Sequence, residues 1–241
     1  MVGAEFAGAR CVGGGGLKNE MSEMIDRSEK VAVPQDVIFD LGGVVFRWQP
    51  LALLQQLFPQ QVQSEAVARE WASQIFQTFH PEADWALFDL GLIEPEPLAE
   101  RIALRTGLAQ ADLLRLMEGI PPHLQPLQGT VDVMHDLKAK GHRLYFLSNM
   151  PAGYADHLVQ ANPFFSQFEE GIFSAHVQQI KPLPEIFATA QARWPLRGKP
   201  VFIDDVKHNI DAAGRHGWRG ILFESPEQLR ADLVAQNYLR A

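Results

Sequence analysis

Cysteine is almost absent from this chain. Cys11 is the only one among 241 residues, so no disulfide can close within one copy, and nothing calls for an oxidising compartment. Long apolar runs are missing as well; none approaches the roughly 18 residues needed to cross a bilayer. Positive charge is scarce: 21 Lys and Arg stand against 29 Asp and Glu, a formal net charge of −8, with a pI of about 5.5. That balance repels a polyphosphate backbone and argues against general nucleic-acid binding. It leaves room for a small anion held by local dipoles and one or two cations. The first residues lack the basic start and apolar block of a secretory signal. These absences leave a cytoplasmic enzyme or binding protein, with neither nucleic acid nor membrane among its expected partners. They do not fix its oligomeric state.

What is present is an ordinary globular composition, 46% hydrophobic and 21% charged, long enough for one large domain or a core with an insertion. Residues 1–33 read as a flexible extension, because a four-glycine run behaves as a linker. Met21 and Met24 are plausible alternative starts, and no functional role is assigned to the segment. No internal repeat is evident.

The apolar pattern changes period along the chain. "DVIFD" (36–40) reads as a short strand ending at Asp40. From 50 to 121 the spacing is helical, with no convincing strand. "IPPHLQP" (120–126) is expected to break that run, since two prolines disfavour a helix interior. Residues 130–141 then read as a helix capped by Thr130 and ended by Gly141. "RLYFLSN" (143–149), "GIFSAHV" (171–177), "PVFIDD" (200–205) and "GILFE" (220–224) read as strands, with helices at 184–194 and 209–217. Ser225, Pro226 and Gln228 open the last helix as a capping box. Alternating strands and helices predict an α/β fold: a Rossmann-like, mostly parallel sheet. The core domain is expected at 34–49 and 122–241, with an inserted all-helical cap at 50–121.

In such a sheet ligands bind beyond the carboxyl ends of the strands. Polar residues stand at four such places: Asp40; Ser148 and Asn149; Lys181; and the pair Asp204 and Asp205. Carboxylates are hard oxygen ligands suited to Mg²⁺. Lys181 and a hydroxyl can hold phosphoryl oxygens, and Gly42 and Gly43 let backbone N–H groups face an anion. An aspartate can also attack phosphorus and form an aspartyl-phosphate. Each residue alone has an ordinary explanation as a cap, a turn or a surface charge. The combination carries the reading.

In order, these residues resemble the four motifs of the haloacid dehalogenase-like (HAD) hydrolase superfamily, in its phosphatase branch with a helical cap. "FDLGGVV" resembles the first, which implies Asp40 as nucleophile. "FLSN" resembles the second, with Ser148 and the Asn149 backbone on phosphate beside Gly43. "IKPLPEIF" resembles the third, with Lys181 neutralising charge. "VFIDDVKHNIDAA" resembles the fourth, with Asp205 on Mg²⁺ and Asp204 supporting it. Asp40 and the Gly42 carbonyl complete the implied metal set. "WALFDLGLIEPEPLAERI" (85–102) resembles a cap segment of these phosphatases, whose typical form is acidic-x-Gly-x-Ile.

One position departs from the pattern. Most phosphatases of the superfamily carry a second aspartate two residues after the nucleophile, to protonate the leaving alcohol. Here it is Gly42. General acid catalysis is commonly worth about 10²–10⁴-fold, so three outcomes are open. The leaving group is acidic, as in a sugar 1-phosphate; or an acid comes from the cap or a water, with His80, Asp84 and Glu94 as candidates; or activity is weak. "FDLG" is similar to the start of α-D-glucose-1-phosphate phosphatases, which favours the first. The expectation is a Mg²⁺-dependent phosphatase of a small phosphorylated metabolite. The alternatives are a dehalogenase, which also lacks that acid but has serine and asparagine in place of the "DD" pair, and a regulatory protein on the same fold. Arg47 and Trp48 are candidate hinge residues or junction packing, and His208 is an expected surface residue.

Overall fold

The computed structural model describes Met1 and residues 34–77, 80 and 82–240, so the extension expected at 1–33 lies outside the described residues apart from Met1. Strand β1 (Asp36–Phe39) is buried at all four positions. Unbroken apolar sequence is what a central parallel strand, covered on both faces, requires. Asp36 stands at its start, fully buried, and receives a two-pronged bond from Arg143 at 2.7 Å for each prong. The two residues are register partners, so this pair fixes β1 against β2 at the sheet end away from Asp40.

Strands β2 (Arg143–Ser148), β3 (Phe168–Phe173), β4 (Val201–Asp204) and β5 (Arg219–Leu222) complete one sheet in the order β3-β2-β1-β4-β5. Every pairing is parallel. The connection after β1 runs to one side and the later strands are added on the other, which makes the gap between β1 and β4 the topological switch point.

Between β1 and β2 the chain is helical: α1 (Pro50–Leu57), α2 (Glu65–Phe76), α3 (Asp84–Asp89), α4 (Pro95–Thr106), α5 (Gln110–His123) and α6 (Gln128–Ala139). Ser64 caps α2 by accepting the Val67 N–H at 3.3 Å. Gly107 ends α4 in the left-handed region, at φ 75°. Helices α7 (Ala152–Ala161), α8 (Ser174–Val177), α9 (Pro184–Arg193), α10 (Lys207–Arg215) and α11 (Pro226–Ala235) flank the later strands. Ser225 caps α11 through the Gln228 N–H, as its capping box predicts. Gln228 Oε1, however, accepts from Glu224 rather than from the cap residue.

Three local expectations are corrected. The helical run does not break at "IPP": α5 continues through Pro121 and Pro122. Pro121 cannot supply the N–H that the Met117 carbonyl expects four residues earlier, and the Tyr154 hydroxyl donates to that carbonyl instead, at 2.8 Å. Thr130 is not a cap, because α6 begins at Gln128 and Thr130 lies buried inside it. "GIFSAHV" is a strand only as far as Phe173. Ser174 starts the single turn α8, its hydroxyl accepting the Met150 N–H and donating to the Asp89 carbonyl. β3 begins earlier than expected, at Phe168, because an edge strand tolerates outward charges such as Glu169.

Candidate active site

The site is built on the switch point. The Asp40 N–H donates to the Ile203 carbonyl at 2.8 Å, so the residue after β1 remains tied to β4. Its carboxylate Oδ1 accepts from the Leu41 N–H at 2.7 Å and lies 2.9 Å from Lys181 Nζ. The turn that follows is tight. The N–H groups of Val44, Val45 and Phe46 all converge on the Leu41 carbonyl. Gly43 adopts φ +80°, and a Cβ there would lie 2.3 Å from Asp205 Oδ2. The glycine turn therefore packs its backbone directly against the Asp205 carboxylate, which no side chain at 43 would permit. At Gly42, by contrast, a Cβ would meet nothing within 4 Å.

Lys181 is 2% exposed and bridges two carboxylates, reaching Asp204 Oδ2 at 2.7 Å as well as Asp40. Asp204 is fully buried and saturated: it also accepts from the Val206 N–H at 2.8 Å and from the Asn209 amide. Asn149 does not simply line the site. Its Nδ2 donates to the Lys181 carbonyl at 3.0 Å, and its Oδ1 accepts the Lys181 N–H at 2.9 Å. Ser148, the last residue of β2, is buried beside it.

The electrostatics follow from crowding. Burial pushes Asp40 up to about 7; Lys181 opposes the shift, while Asp204 and Asp205 add to it. Asp205 reaches the surface, but neighbouring groups displace water from its carboxylate and, with the Asp204 charge, push it up to about 6. Burial by itself would lower Lys181, but Asp204 and Asp40 outweigh it and hold the ammonium above its usual range. Asp40, Asp204 and Asp205 each offer an oxygen within 4.8 Å of the others. Asp204 is used by Lys181 and Asn209, so Asp40 and the exposed Asp205 are the pair with oxygens left to bind a cation. Two hard, mutually repelling carboxylates beside exposed backbone are a donor set that fits a divalent cation.

The cap acids suggested by the sequence are not in this cluster. Asp84 is taken by Arg105 at 3.3 Å and Arg101 at 3.7 Å. His80 and Glu94 are exposed, as is His208. Arg47 is exposed and its N–H donates to the Gln125 carbonyl, while Trp48 packs edge-on against Phe76 at 5.6 Å. Asp89, the last residue of α3, is the acid that does lie near. It is buried, and Lys181 and Asp40 are its charged neighbours. A signal for it was present in the sequence. Asp89 falls three and four residues after Ala86 and Trp85, on the apolar face of a helix where a carboxylate is out of place.

No protein-family model matches the sequence. The sesquiterpene phosphatase AstK of Aspergillus oryzae is 24% identical over 186 residues, covering 76% of this chain and 87% of that protein. A HAD family enzyme of Bacteroides thetaiotaomicron, solved with magnesium and inorganic phosphate, matches with a TM-score of 0.60 at 19% identity. The match covers 80% of this chain and 96% of that one. The L-2-haloacid dehalogenase of Xanthobacter autotrophicus, with chloropropionic acid covalently bound, matches with a TM-score of 0.59 at 16% identity, over 84% and 83% of the two chains.

A parallel sheet with a lysine–carboxylate cluster at its switch point defines a doubly wound α/β protein. The fold is that of the haloacid dehalogenase-like hydrolases, and the four motif segments that resemble that superfamily meet at one place.

Proposed function

We propose that this protein is a Mg²⁺-dependent phosphatase of small phosphomonoesters, acting through an aspartyl-phosphate on Asp40. The observation that carries the reading is the convergence of Asp40, Asp204 and Asp205 within 4.8 Å around one buried lysine. Asp40 attacks phosphorus in line with the leaving oxygen. Lys181 and Ser148, with the Asn149 and Gly43 backbone, hold the phosphoryl oxygens, and Asp204 holds Lys181. Asp40, the Gly42 carbonyl and Asp205 would hold Mg²⁺, which would supply neutralising charge for those oxygens. Asp205 also favours a phosphatase over a dehalogenase, since halide displacement needs neither the metal nor a second carboxylate to hold it. The helical segment at 50–121 acts as the cap that selects the substrate. A sugar 1-phosphate, whose anomeric oxygen leaves readily, suits a site without a carboxyl group at 42.

The test is phosphate release, with and without Mg²⁺, by the intact protein and by Asp40→Asn. The panel comprises sugar 1- and 6-phosphates, p-nitrophenyl phosphate and a prenyl phosphate, which the sesquiterpene phosphatase relative brings in, plus 2-chloropropionate. Mg²⁺-dependent release that Asp40→Asn abolishes is the expected result. Chloride from 2-chloropropionate without phosphate from any ester would overturn the reading.

A further inference from the structure

Four buried aspartates are found among the described residues, and three of them are paired. Asp36 has Arg143, Asp40 has Lys181, and Asp204 has Lys181 and Asn209. Asp89 is 6% exposed, and its carboxyl group makes no hydrogen bond or ion pair among the described residues. A mostly buried carboxyl group without a charged partner is uncommon, so its presence calls for a reason.

Its position supplies one. The end of α3 is fixed against the loops that carry the site. Ser174 Oγ joins the Asp89 carbonyl to the Met150 N–H, one residue beyond Asn149. Ile180, directly before Lys181, packs against Ala83 and Ala86 at the start of the same short helix. Phe88 meets the Tyr154 ring edge-on at 5.4 Å. These contacts set the Asp89 end of α3 beside the loops that carry Asn149 and Lys181, close enough for the charges of Lys181 and Asp40 to act on its carboxyl group. Burial favours the protonated form of that carboxyl group.

We propose that Asp89 is the proton donor to the leaving group, supplying from the helical segment the carboxyl group that position 42 lacks. The inference rests on the phosphatase reading above. In the first step an Asp40 oxygen bonds to phosphorus, the bond from phosphorus to the leaving oxygen breaks, and the Asp89 proton passes to that oxygen. In the second, the Asp89 carboxylate takes a proton from water as the water oxygen bonds to phosphorus. The bond to Asp40 then breaks, phosphate leaves, and both side chains are restored.

The experiment is a leaving-group series, from alkyl through phenyl to p-nitrophenyl phosphate, with Mg²⁺ present, for the intact protein and Asp89→Asn. Loss of the donor should lower kcat/KM for the alkyl esters by about 10²–10⁴-fold. For p-nitrophenyl phosphate, whose leaving group needs no proton, the loss should be under about tenfold. Equal losses across the series would overturn the role of Asp89 and leave the phosphatase reading standing. No release from any ester by the intact protein would overturn that reading, and this inference with it. A second measurement needs no variant. In the intact protein kcat/KM should depend only weakly on leaving-group pKa, and a steep dependence would overturn the proposal.

Discussion

Asn149 and Lys181 clasp each other through two hydrogen bonds, side-chain amide to backbone carbonyl and backbone N–H to side-chain carbonyl, at 3.0 and 2.9 Å. The lysine that bridges Asp40 and Asp204 is thus aimed from its backbone, by a residue on a different strand end. Asn149→Ala removes both bonds and leaves the ammonium with its carboxylates but without a fixed stem. Steady-state kinetics on p-nitrophenyl phosphate should show kcat falling about 10²-fold, as small misplacements of catalytic groups commonly do. A variant with unaltered kcat would show that the carboxylates alone position Lys181.

The two adjacent glycines should respond in opposite ways. Gly43→Ala forces a Cβ to within 2.3 Å of Asp205 at a φ of +80°. The left-handed backbone alone costs about 1–2 kcal/mol, and Asp205 must move. Titration calorimetry should show weakened Mg²⁺ binding. Gly42→Asp has open space and no positive φ. It should stay within about 1 kcal/mol of the parent in urea unfolding and restore alkyl-ester turnover when combined with Asp89→Asn.

Stability without metal should fall between mildly acid and mildly alkaline pH. The Asp89 carboxyl group is raised from 3.8 to about 8 on folding, so over that window the folded state binds more protons than the unfolded one. Its contribution is fully present below the unfolded value and is lost as pH rises through the folded one. The fall is about 1.4 kcal/mol for each pH unit over which only the folded form holds the proton. Asp40 lies among the groups that face it and shifts in the same sense, while Lys181 opposes and Tyr154 stays protonated. Urea midpoints measured from pH 4 to 9 should decline, and Asp89→Asn should flatten the decline. An unchanged slope in the variant would place the proton elsewhere.

The bond from Tyr154 to the Met117 carbonyl should be worth more than an ordinary one because Pro121 leaves that carbonyl without a helical partner. Tyr154→Phe should cost about 1–3 kcal/mol in urea unfolding. In a Pro121→Ala background, where a helical N–H becomes available, the same substitution should cost less. Equal costs in both backgrounds would separate the proline from the hydroxyl.

Much of this was readable from the residues. β1 and β4 are unbroken apolar runs ending in carboxylates, so their ends, and the edge where those carboxylates meet, followed from the pattern. The helical stretch after β1 followed from its spacing. Elsewhere tertiary contacts decided. The helix through Pro121 and Pro122 depends on a hydroxyl more than 30 residues away in sequence. Ser174 leaves β3 because its hydroxyl is engaged by Met150 and Asp89. Asp84 was a candidate acid by its place in the segment, yet two arginines from α4 occupy it. Asp89 shows the limit most clearly: periodicity places it on a buried face but cannot say what lies across from it.

The sheet order also sets a timetable. β1 hydrogen-bonds to β2 on one side and β4 on the other, and most of the described sequence separates β1 from β4. As the chain emerges from a ribosome, the segment at 50–123 can form contacts between neighbours in sequence while Asp40 waits for Lys181 and Asp204. Such long-range pairing is slow, and an unpaired strand edge is a template for other chains. The docking that brings Asp40 beside Asp204 therefore also closes the flank of β1 against self-association. A nascent or truncated chain that stops short of β4 has neither the lysine–carboxylate cluster nor that protection.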